Sequence, residues 1–192
     1  MSRLDLVVGP NGAGKSTLIR LAIQPAWPAA VCVDADEIAR RRWGADAGAH
    51  AYEAAGIAAA TRSRLIARDR PLIAETVFSH PSKLELVDEA LAAGYFVALH
   101  VLLVPEQLAV LRVAYRVRSG GHGVPEEKVR QRYRRLWELV ATAVERVGSA
   151  AFWDNAGHDG PDQVALFIDG HPVGRPLWPT WTPPELARRW AG

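Results

Sequence analysis

Residues 9–17 read GPNGAGKST and fit the phosphate-binding pattern G-x-x-x-x-G-K-[ST]. The pattern requires a strand before the loop and a helix after it. Residues 4–8 form a short apolar run ended by glycine, and a helical pattern begins near Lys15. Small residues let successive backbone amides point into one concavity, where they and the positive end of the helix bind phosphate. The chain is therefore predicted to fold around a P-loop.

The loop predicts a site for ATP and Mg²⁺. The predicted nucleotide-binding residues of the loop are Gly9, Pro10, Asn11, Gly12, Ala13, Gly14, Lys15, Ser16 and Thr17. Lys15 is predicted to reach the β- and γ-phosphates. Ser16 is predicted to bind Mg²⁺, an ion that takes few protein oxygens because the nucleotide supplies others. The competing interpretation is a glycine turn with an incidental lysine.

Strand and helix patterns alternate along the rest of the chain. Strands are predicted at 30–34, 72–77, 95–104, 151–153 and 164–168, and helices at 15–24, 47–68, from Pro105 onward and at 125–147. Such alternation implies a mainly parallel sheet between helical layers. The expected fold class is α/β, a three-layer P-loop kinase fold with a helical lid.

Composition restricts the chain further. With 192 residues, 49% of them apolar, and a net charge of +2, we expect a single domain over 1–192 with no general affinity for nucleic acid or anionic membrane. No segment approaches the roughly 18 apolar residues that span a bilayer, and no signal peptide is evident, so a cytoplasmic location is expected. The single cysteine, Cys32, excludes an internal disulfide and is predicted to be buried.

A P-loop specifies a nucleotide and leaves the reaction open. No Asn-Lys-x-Asp motif follows a later strand, which argues against a GTPase. The segment Ser119-Gly120-Gly121 resembles a transporter signature, but it precedes a helix opened by proline instead of an apolar strand ending in Asp-Glu. A compact kinase is the remaining class.

Acidic residues follow two predicted strands, where ligands lie in open parallel sheets. Asp36 is predicted to accept the proton of a substrate hydroxyl as it attacks the γ-phosphate, and Asp34 competes for that role. The alternative for Asp36 is to cap the next helix. Glu75 ends an apolar strand and is predicted to contact Mg²⁺ through water or to hold substrate hydroxyls; a plain strand-end charge is the alternative.

Arginines and glycines between about 112 and 134 predict a lid. Arg116 and Arg118 lie next to a glycine-rich hinge and are predicted to contact phosphate during transfer. His122 either touches substrate or caps the turn. The alternative to a lid is a solvent-exposed basic surface. That interpretation is preferred for three arginines of the following helix, which are Arg130, Arg134 and Arg135.

These motifs together resemble the zeta-toxin family of P-loop kinases, over about residues 4–155. The segments that carry the resemblance are 9–17, 34–38, Glu75-Thr76, 112–125 and Arg130-x-Arg132-Tyr133. The resemblance implies phosphorylation of UDP-N-acetylglucosamine on its 3′-hydroxyl and an antitoxin protein as partner. By the same resemblance Lys15 is the P-loop lysine, Asp36 the base, and Arg116 or Arg118 a lid arginine.

The resemblance also assigns residues around the two ligands. Further nucleotide contacts are expected from Arg112 and from Asn155. For the pair Asp154-Asn155, an ordinary turn before Gly157 is the alternative. Substrate contacts are expected from Glu75, Thr76, His122 and Arg132.

Two differences from the family fall on the substrate side. Val77 and Phe78 follow Thr76, and the long helix contains Ala55-Gly56-Ile57 where short members have Ala-Gly-Arg. Lost hydrogen bonds would change which substrate is accepted. An antibiotic, nucleoside or other sugar therefore remains open as acceptor, as does a non-catalytic nucleotide-binding switch.

The C-terminal tail, about 172–192, is rich in tryptophan and proline. We expect its tryptophans to pack the tail onto the domain, with a partner contact as the alternative.

Overall fold

A computed structural model describes residues 2–118 and 123–191. In this part of the chain seven strands form one sheet in the order β2-β3-β1-β4-β5-β6-β7. The strands are β1 (Arg3–Val8), β2 (Val31–Val33), β3 (Leu72–Thr76), β4 (Phe96–Leu103), β5 (Ser149–Asp154), β6 (Asp162–Ile168) and β7 (His171–Pro172). The first five in the spatial order run parallel, and β6 and β7 are antiparallel. This mostly parallel α/β sheet confirms the predicted fold class.

Helices connect the strands. They are α1 (Lys15–Leu18), α2 (Gln24–Ala26), α3 (Ala35–Trp43), α4 (Ala51–Ile66), α5 (Ser82–Ala92), α6 (Glu106–Arg118), α7 (Glu126–Val144) and α8 (Pro184–Ala187). A π-helical stretch, Ile19–Ile23, joins α1 to α2, so the segment after the P-loop stays helical past Pro25. Pro25 lies in the first turn of α2, where a missing N–H is tolerated. The helix predicted at 47–68 is shorter, because residues 47–50 and 67–69 form turns on either side of it, the first after a 3₁₀ turn at Gly44–Asp46.

The core lies on both faces of the sheet. Successive residues of a strand point to opposite faces, and Leu4, Leu6, Val7 and Val8 are all fully buried in β1. Both faces of this central strand are therefore covered, as a parallel sheet requires. On one side α4 packs against α5 and α5 packs against α7. None of the described helices is long and apolar enough to cross a membrane.

One buried residue of β1 is charged. Asp5 is only 2% exposed, accepts two hydrogen bonds of 2.8 Å from the Arg3 guanidinium, and lies 2.9 Å from Nε2 of His100. Burial acts to raise the pKa of Asp5, but the hydrogen bonds from His100 and Arg3 outweigh it and hold that pKa below its ordinary value. The contact between Asp5 and His100 joins β1 to β4, within a segment of β1 whose other residues are apolar.

The prediction that Cys32 is buried is wrong. β2 is the edge strand of the sheet, and Cys32 in its centre is exposed. Periodicity indicates a strand but does not give the position of that strand in the sheet.

The tail after β7 packs on the last strands. Trp178 and Trp190 contact Phe152 and Phe167, with ring centroids 5.1 Å apart for Trp178 and Phe152 and 4.7 Å apart for Trp190 and Phe167. Nε1 of Trp178 donates a hydrogen bond of 3.2 Å to the carbonyl oxygen of Trp190. The tail thus forms part of the aromatic core at this end of the sheet.

Candidate active site

Four parallel strands bring the predicted site residues to one edge of the sheet. The P-loop follows β1, Asp34 follows β2, Glu75 lies near the end of β3 and Asn155 follows β5. Because all these strands are parallel, their carboxyl ends meet at the same edge, which is where open α/β sheets bind ligands.

The P-loop is packed so closely that its glycines have no room for a side chain. Gly12 has a φ of 78°, and a Cβ there would lie 2.8 Å from the carbonyl oxygen of Ala109. Gly14 has a φ of 93° and would place a Cβ 2.5 Å from Nδ2 of Asn155. Both positions combine a left-handed backbone with a close approach, so only glycine fits them.

The Lys15 side chain is folded over the loop. It is 7% exposed, and its Nζ donates hydrogen bonds to the carbonyl oxygens of Gly9 at 3.1 Å and Pro10 at 3.0 Å. Burial lowers the pKa of Lys15, and the charges of nearby Glu75, Asp36 and Asp34 oppose that shift. The lysine is thus held in the loop, with three acids near enough for their charges to act on it.

Glu75 connects the loop to β3. One carboxylate oxygen, Oε2, accepts a hydrogen bond of 2.8 Å from Oγ of Ser16, and Oε1 lies 3.8 Å from Nζ of Lys15. Burial raises the pKa of Glu75, whereas Lys15 and Ser16 lower it and the charges of Asp34 and Asp36 raise it further. The strand-end acid therefore contacts the loop directly.

The same pair of residues fits Mg²⁺. The described residues contain no group of three His, Cys, Asp or Glu side chains that could hold a metal by themselves. A hydroxyl and a carboxylate on adjoining elements are the few hard oxygen ligands that Mg²⁺ takes when a nucleotide supplies the rest. Ser16 and Glu75 would hold the ion.

The two aspartates after β2 have different local roles. Asp34 is the N-cap of α3: its Oδ1 accepts a hydrogen bond of 2.9 Å from the backbone N–H of Asp36. The alternative that Asp36 caps this helix is therefore wrong. Asp36 lies in the first turn with an exposed side chain, which leaves its carboxylate open to a ligand. Burial raises the pKa of Asp34, opposed by the hydrogen bond from Asp36.

Arg112 and Asn155 fasten the loop to the end of β5. Nδ2 of Asn155 donates a hydrogen bond of 2.7 Å to the carbonyl oxygen of Ala13, and Nη1 of Arg112 donates one of 2.9 Å to the carbonyl oxygen of Asn155. The turn suggested as the alternative for Asp154-Asn155 is also present, because Oδ1 of Asp154 accepts a hydrogen bond of 2.8 Å from the N–H of Ala156.

The remaining predicted residues are less closely grouped. Arg116 on α6 is exposed, and it is near enough to the loop for its charge to lower the pKa of Lys15. Arg118, the last residue of α6, is exposed, and Arg132 is half-buried on α7. Oγ1 of Thr76 accepts a hydrogen bond of 3.3 Å from the N–H of Phe78. His122 lies outside the described residues.

The other loop residues lie as follows. Asn11 has a buried Oδ1 with no hydrogen-bond partner among the described residues, which leaves that acceptor available in the loop. Thr17 is exposed, and its N–H donates to the carbonyl oxygen of Gly14 at 3.0 Å.

Sequence reasoning missed one strained position. Phe78 is fully buried with a φ of 63°, a conformation that is unfavourable for a bulky residue and that recurs at functional sites. It fixes the loop that follows Glu75 and Thr76. Its only signal in the sequence is its position just after a strand that ends in an acid.

Comparison with known proteins gives a family. The family described as AAA domain matches residues 4–139. None of the curated proteins matches the chain.

Solved structures show the same fold at low identity. The complex AvrRxo1-ORF1:AvrRxo1-ORF2 aligns with TM-scores of 0.71 with sulphate ions and 0.70 with ATP, at 15% and 16% identity. Both alignments cover 90% of this chain and 60% of the AvrRxo1 chain, so this protein spans less than two thirds of the length of that chain. The PezAT toxin-antitoxin system of Streptococcus pneumoniae aligns with a TM-score of 0.62 at 15% identity, covering 80% of this chain and 67% of that chain.

A metabolic enzyme has the same architecture. Shikimate kinase from Acinetobacter baumannii, solved with shikimate, aligns with a TM-score of 0.52 at 19% identity and covers 83% of this chain and 86% of that chain. At such identities the likeness concerns the fold, a mostly parallel P-loop kinase architecture.

Proposed function

The chain belongs to the AAA domain family of P-loop proteins, and on that premise we propose that it is an ATP-dependent kinase that phosphorylates a hydroxyl group of a small molecule. The observation that carries this proposal is the convergence of three carboxylates on one lysine. Asp34 and Asp36 lie at the start of α3, Glu75 lies near the end of β3 with its Oε1 3.8 Å from Nζ of Lys15, and all three carboxylates raise the pKa of Lys15 through their charge. A nucleotide-binding switch also needs an acid at its Mg²⁺, but it has no need of a base such as Asp36 beside its γ-phosphate.

Each residue then has a chemical task. Lys15 binds the β- and γ-phosphates and neutralises charge as transfer proceeds. Ser16 and Glu75 would hold Mg²⁺, which would supply further positive charge to neutralise the phosphates. Asp36 takes the proton of the acceptor hydroxyl. A bond forms between the hydroxyl oxygen and the γ-phosphorus, the bond from that phosphorus to the β–γ bridging oxygen breaks, and ADP leaves.

The finer proposal is that the acceptor is UDP-N-acetylglucosamine and that an antitoxin protein is a partner. Both rest on the resemblance to the zeta-toxin family and are supported by the likeness to PezAT, a toxin-antitoxin system, and to AvrRxo1-ORF1:AvrRxo1-ORF2, which is also a complex of two proteins. The AvrRxo1 complex solved with ATP supports ATP as the donor.

A direct assay tests the proposal. The purified protein is incubated with ATP, Mg²⁺ and a panel of sugar nucleotides, nucleosides, sugars and antibiotics. The mass of each acceptor is then measured by mass spectrometry. An added phosphoryl group on UDP-N-acetylglucosamine supports the finer proposal, and one on another acceptor supports the kinase with a different substrate. No transfer to any acceptor, together with partner binding that depends on ATP, would favour a non-catalytic switch.

We expect the arginines at the end of α6 to act on the chemical step. Replacing Arg116 and Arg118 together by Ala should lower kcat at least about tenfold, because charge contacts to the transferred phosphoryl group strengthen in the transition state. ATP affinity should change less. Turnover numbers and calorimetric titration with ATP separate the two effects.

The matched control removes two other exposed arginines, Arg134 and Arg135, which lie on α7. This double variant loses the same charge and should keep its kcat. A loss of ATP affinity at unchanged kcat in the Arg116 and Arg118 variant would argue against a lid.

A further inference from the structure

Asn155 is held on three sides at the end of β5. Its N–H donates a hydrogen bond of 2.9 Å to the carbonyl oxygen of Leu103 in β4. Its own carbonyl oxygen accepts one of 2.9 Å from Nη1 of Arg112 on α6. With both backbone groups engaged, its side chain reaches the P-loop, where Nδ2 donates to the carbonyl oxygen of Ala13 at 2.7 Å. One residue thus joins the sheet, α6 and the loop.

The contact between Asn155 and the loop leaves no space at Gly14. A Cβ at this position would lie 2.5 Å from Nδ2 of Asn155, which is closer than a van der Waals contact allows. Residue 14 therefore has to be glycine if the amide of Asn155 is to reach Ala13. The last glycine of the P-loop motif and the amide of Asn155 fit each other as a pair.

The hydrogen bond from Asn155 determines which way one peptide of the loop faces. A trans peptide is planar, so its C=O and N–H groups point in opposite directions. Because the carbonyl group of Ala13 is held toward Asn155, the N–H of Gly14 points away from Asn155. Within residues 2–118 and 123–191 that N–H has no acceptor, so it is free to donate to a phosphate oxygen.

The peptide between Ala13 and Gly14 needs such a contact to keep its orientation. Turning it over changes only ψ of residue 13 and φ of residue 14, and glycine accepts a wide range of φ. The hydrogen bonds within the loop engage the N–H of Ala13 and the carbonyl oxygen of Gly14, which lie on either side of this peptide. Among the described residues, only the side chain of Asn155 bonds the peptide itself. The reversed peptide would present a carbonyl oxygen to the phosphates and repel them.

We propose that Asn155, held in place by Arg112, is a positioning residue that directs the N–H of Gly14 toward the phosphates of ATP. It acts on the phosphates through the loop and does not act through a contact with the base. A loop that already has the binding conformation binds more tightly, because apparent affinity scales with the fraction of molecules in that conformation. The inference rests on the proposed function only in that the loop binds ATP, and it holds whether or not an acceptor is phosphorylated.

Tripolyphosphate with Mg²⁺ is the probe, because it has the phosphates of ATP and lacks the base and the ribose. Calorimetric titration compares it with ATP and Mg²⁺ in the wild-type protein and in Asn155→Ala. Both affinities should fall by the same factor, about fivefold to tenfold, which is the effect of one lost hydrogen bond. Gln163→Ala removes an exposed amide from the neighbouring strand β6 and is the control, which should bind both ligands as the wild type does.

A second variant tests the part played by Arg112. Arg112→Met removes the hydrogen bond to the carbonyl oxygen of Asn155 and should also weaken tripolyphosphate binding. Because both residues act on one peptide, the double variant Asn155→Ala and Arg112→Met should lose less affinity than the product of the two single losses. Losses that multiply in the double variant would show that Arg112 acts on the phosphates separately, which overturns its role in holding Asn155.

The outcome separates this role of Asn155 from the kinase activity. Equal losses for ATP and tripolyphosphate support the role even in a protein that phosphorylates no acceptor. A loss for ATP with unchanged tripolyphosphate binding would mean that Asn155 contacts the base or the ribose, and it overturns the proposal. Absence of tripolyphosphate binding in the wild type overturns it too, even where transfer is intact. If Asn155→Ala does not fold, Asn155→Ser provides the same test, because its hydroxyl is shorter than the amide that reaches Ala13.

Discussion

Replacing Lys15 by Ala is expected to reduce phosphoryl transfer at least about 100-fold, the loss typical when one preorganised charge contact to the transition state is removed. In the structure the Lys15 ammonium contacts the carbonyl oxygens of Gly9 and Pro10 and lies 3.8 Å from Glu75. On nucleotide binding this charge is the one placed against the β- and γ-phosphates. Initial rates with saturating ATP measure the effect.

The fold should survive this change. Burial lowers the pKa of Lys15, which means that the folded protein already pays to keep this charge out of water. Loss of that cost offsets the two lost hydrogen bonds, so thermal melting should shift by no more than a few degrees. Arg20→Ala, an exposed cation on the same helical segment, is the control and should be fully active. Unchanged turnover in Lys15→Ala would show that the P-loop assignment is wrong.

The P-loop could be predicted from the sequence because every part of its motif depends only on neighbouring residues. The strand before residues 9–17, the helix after them and the glycines between are contiguous, and each follows from local sterics and periodicity. The convergence of the strand-end acids on the loop could also be predicted, because the carboxyl ends of parallel strands meet at one edge of the sheet. Glu75 contacts Ser16, 59 positions earlier in the chain, for that reason alone.

Features that depend on where a residue lies in the folded protein could not be predicted from the sequence. Cys32 is exposed because β2 is the edge strand, and the strand order cannot be read from apolar runs. The buried polar contact of Asp5, in an otherwise apolar segment, could not be predicted because its partner His100 lies 95 positions away. Arg62 looks like one of several spaced arginines in the sequence, but it is on the buried side of α4.

The roles of Asp34 and Asp36 could be predicted only in part from the sequence. Both follow β2, and the sequence left either of them open as the base and left Asp36 open as the cap of α3. The structure assigns the cap to Asp34 and leaves the Asp36 carboxylate exposed. Capping stabilises a helix by ~1 kcal/mol, whereas a general base lowers a barrier by roughly 3 to 5 kcal/mol.

We therefore expect Asp36→Asn to lower phosphoryl transfer at least about 100-fold while leaving stability and ATP affinity nearly unchanged. The amide keeps the size of the side chain and removes the carboxylate that takes the proton. The helix keeps its cap in this variant, because Asp34 accepts the hydrogen bond from the backbone N–H of residue 36. Single-turnover rates, melting temperatures and calorimetric titration with ATP measure the three quantities.

Two matched variants decide which aspartate is the base. Asp34→Asn retains an oxygen for the cap and should be much milder in its effect on transfer than Asp36→Asn. Asp46→Asn removes an exposed carboxylate in the turn that follows α3 and should have no effect. Because burial raises the pKa of Asp34, that residue is the competitor, and a larger loss in Asp34→Asn would transfer the role of base to it. Full activity in both variants would mean that neither aspartate takes the proton, so that positioning and charge neutralisation alone drive the transfer.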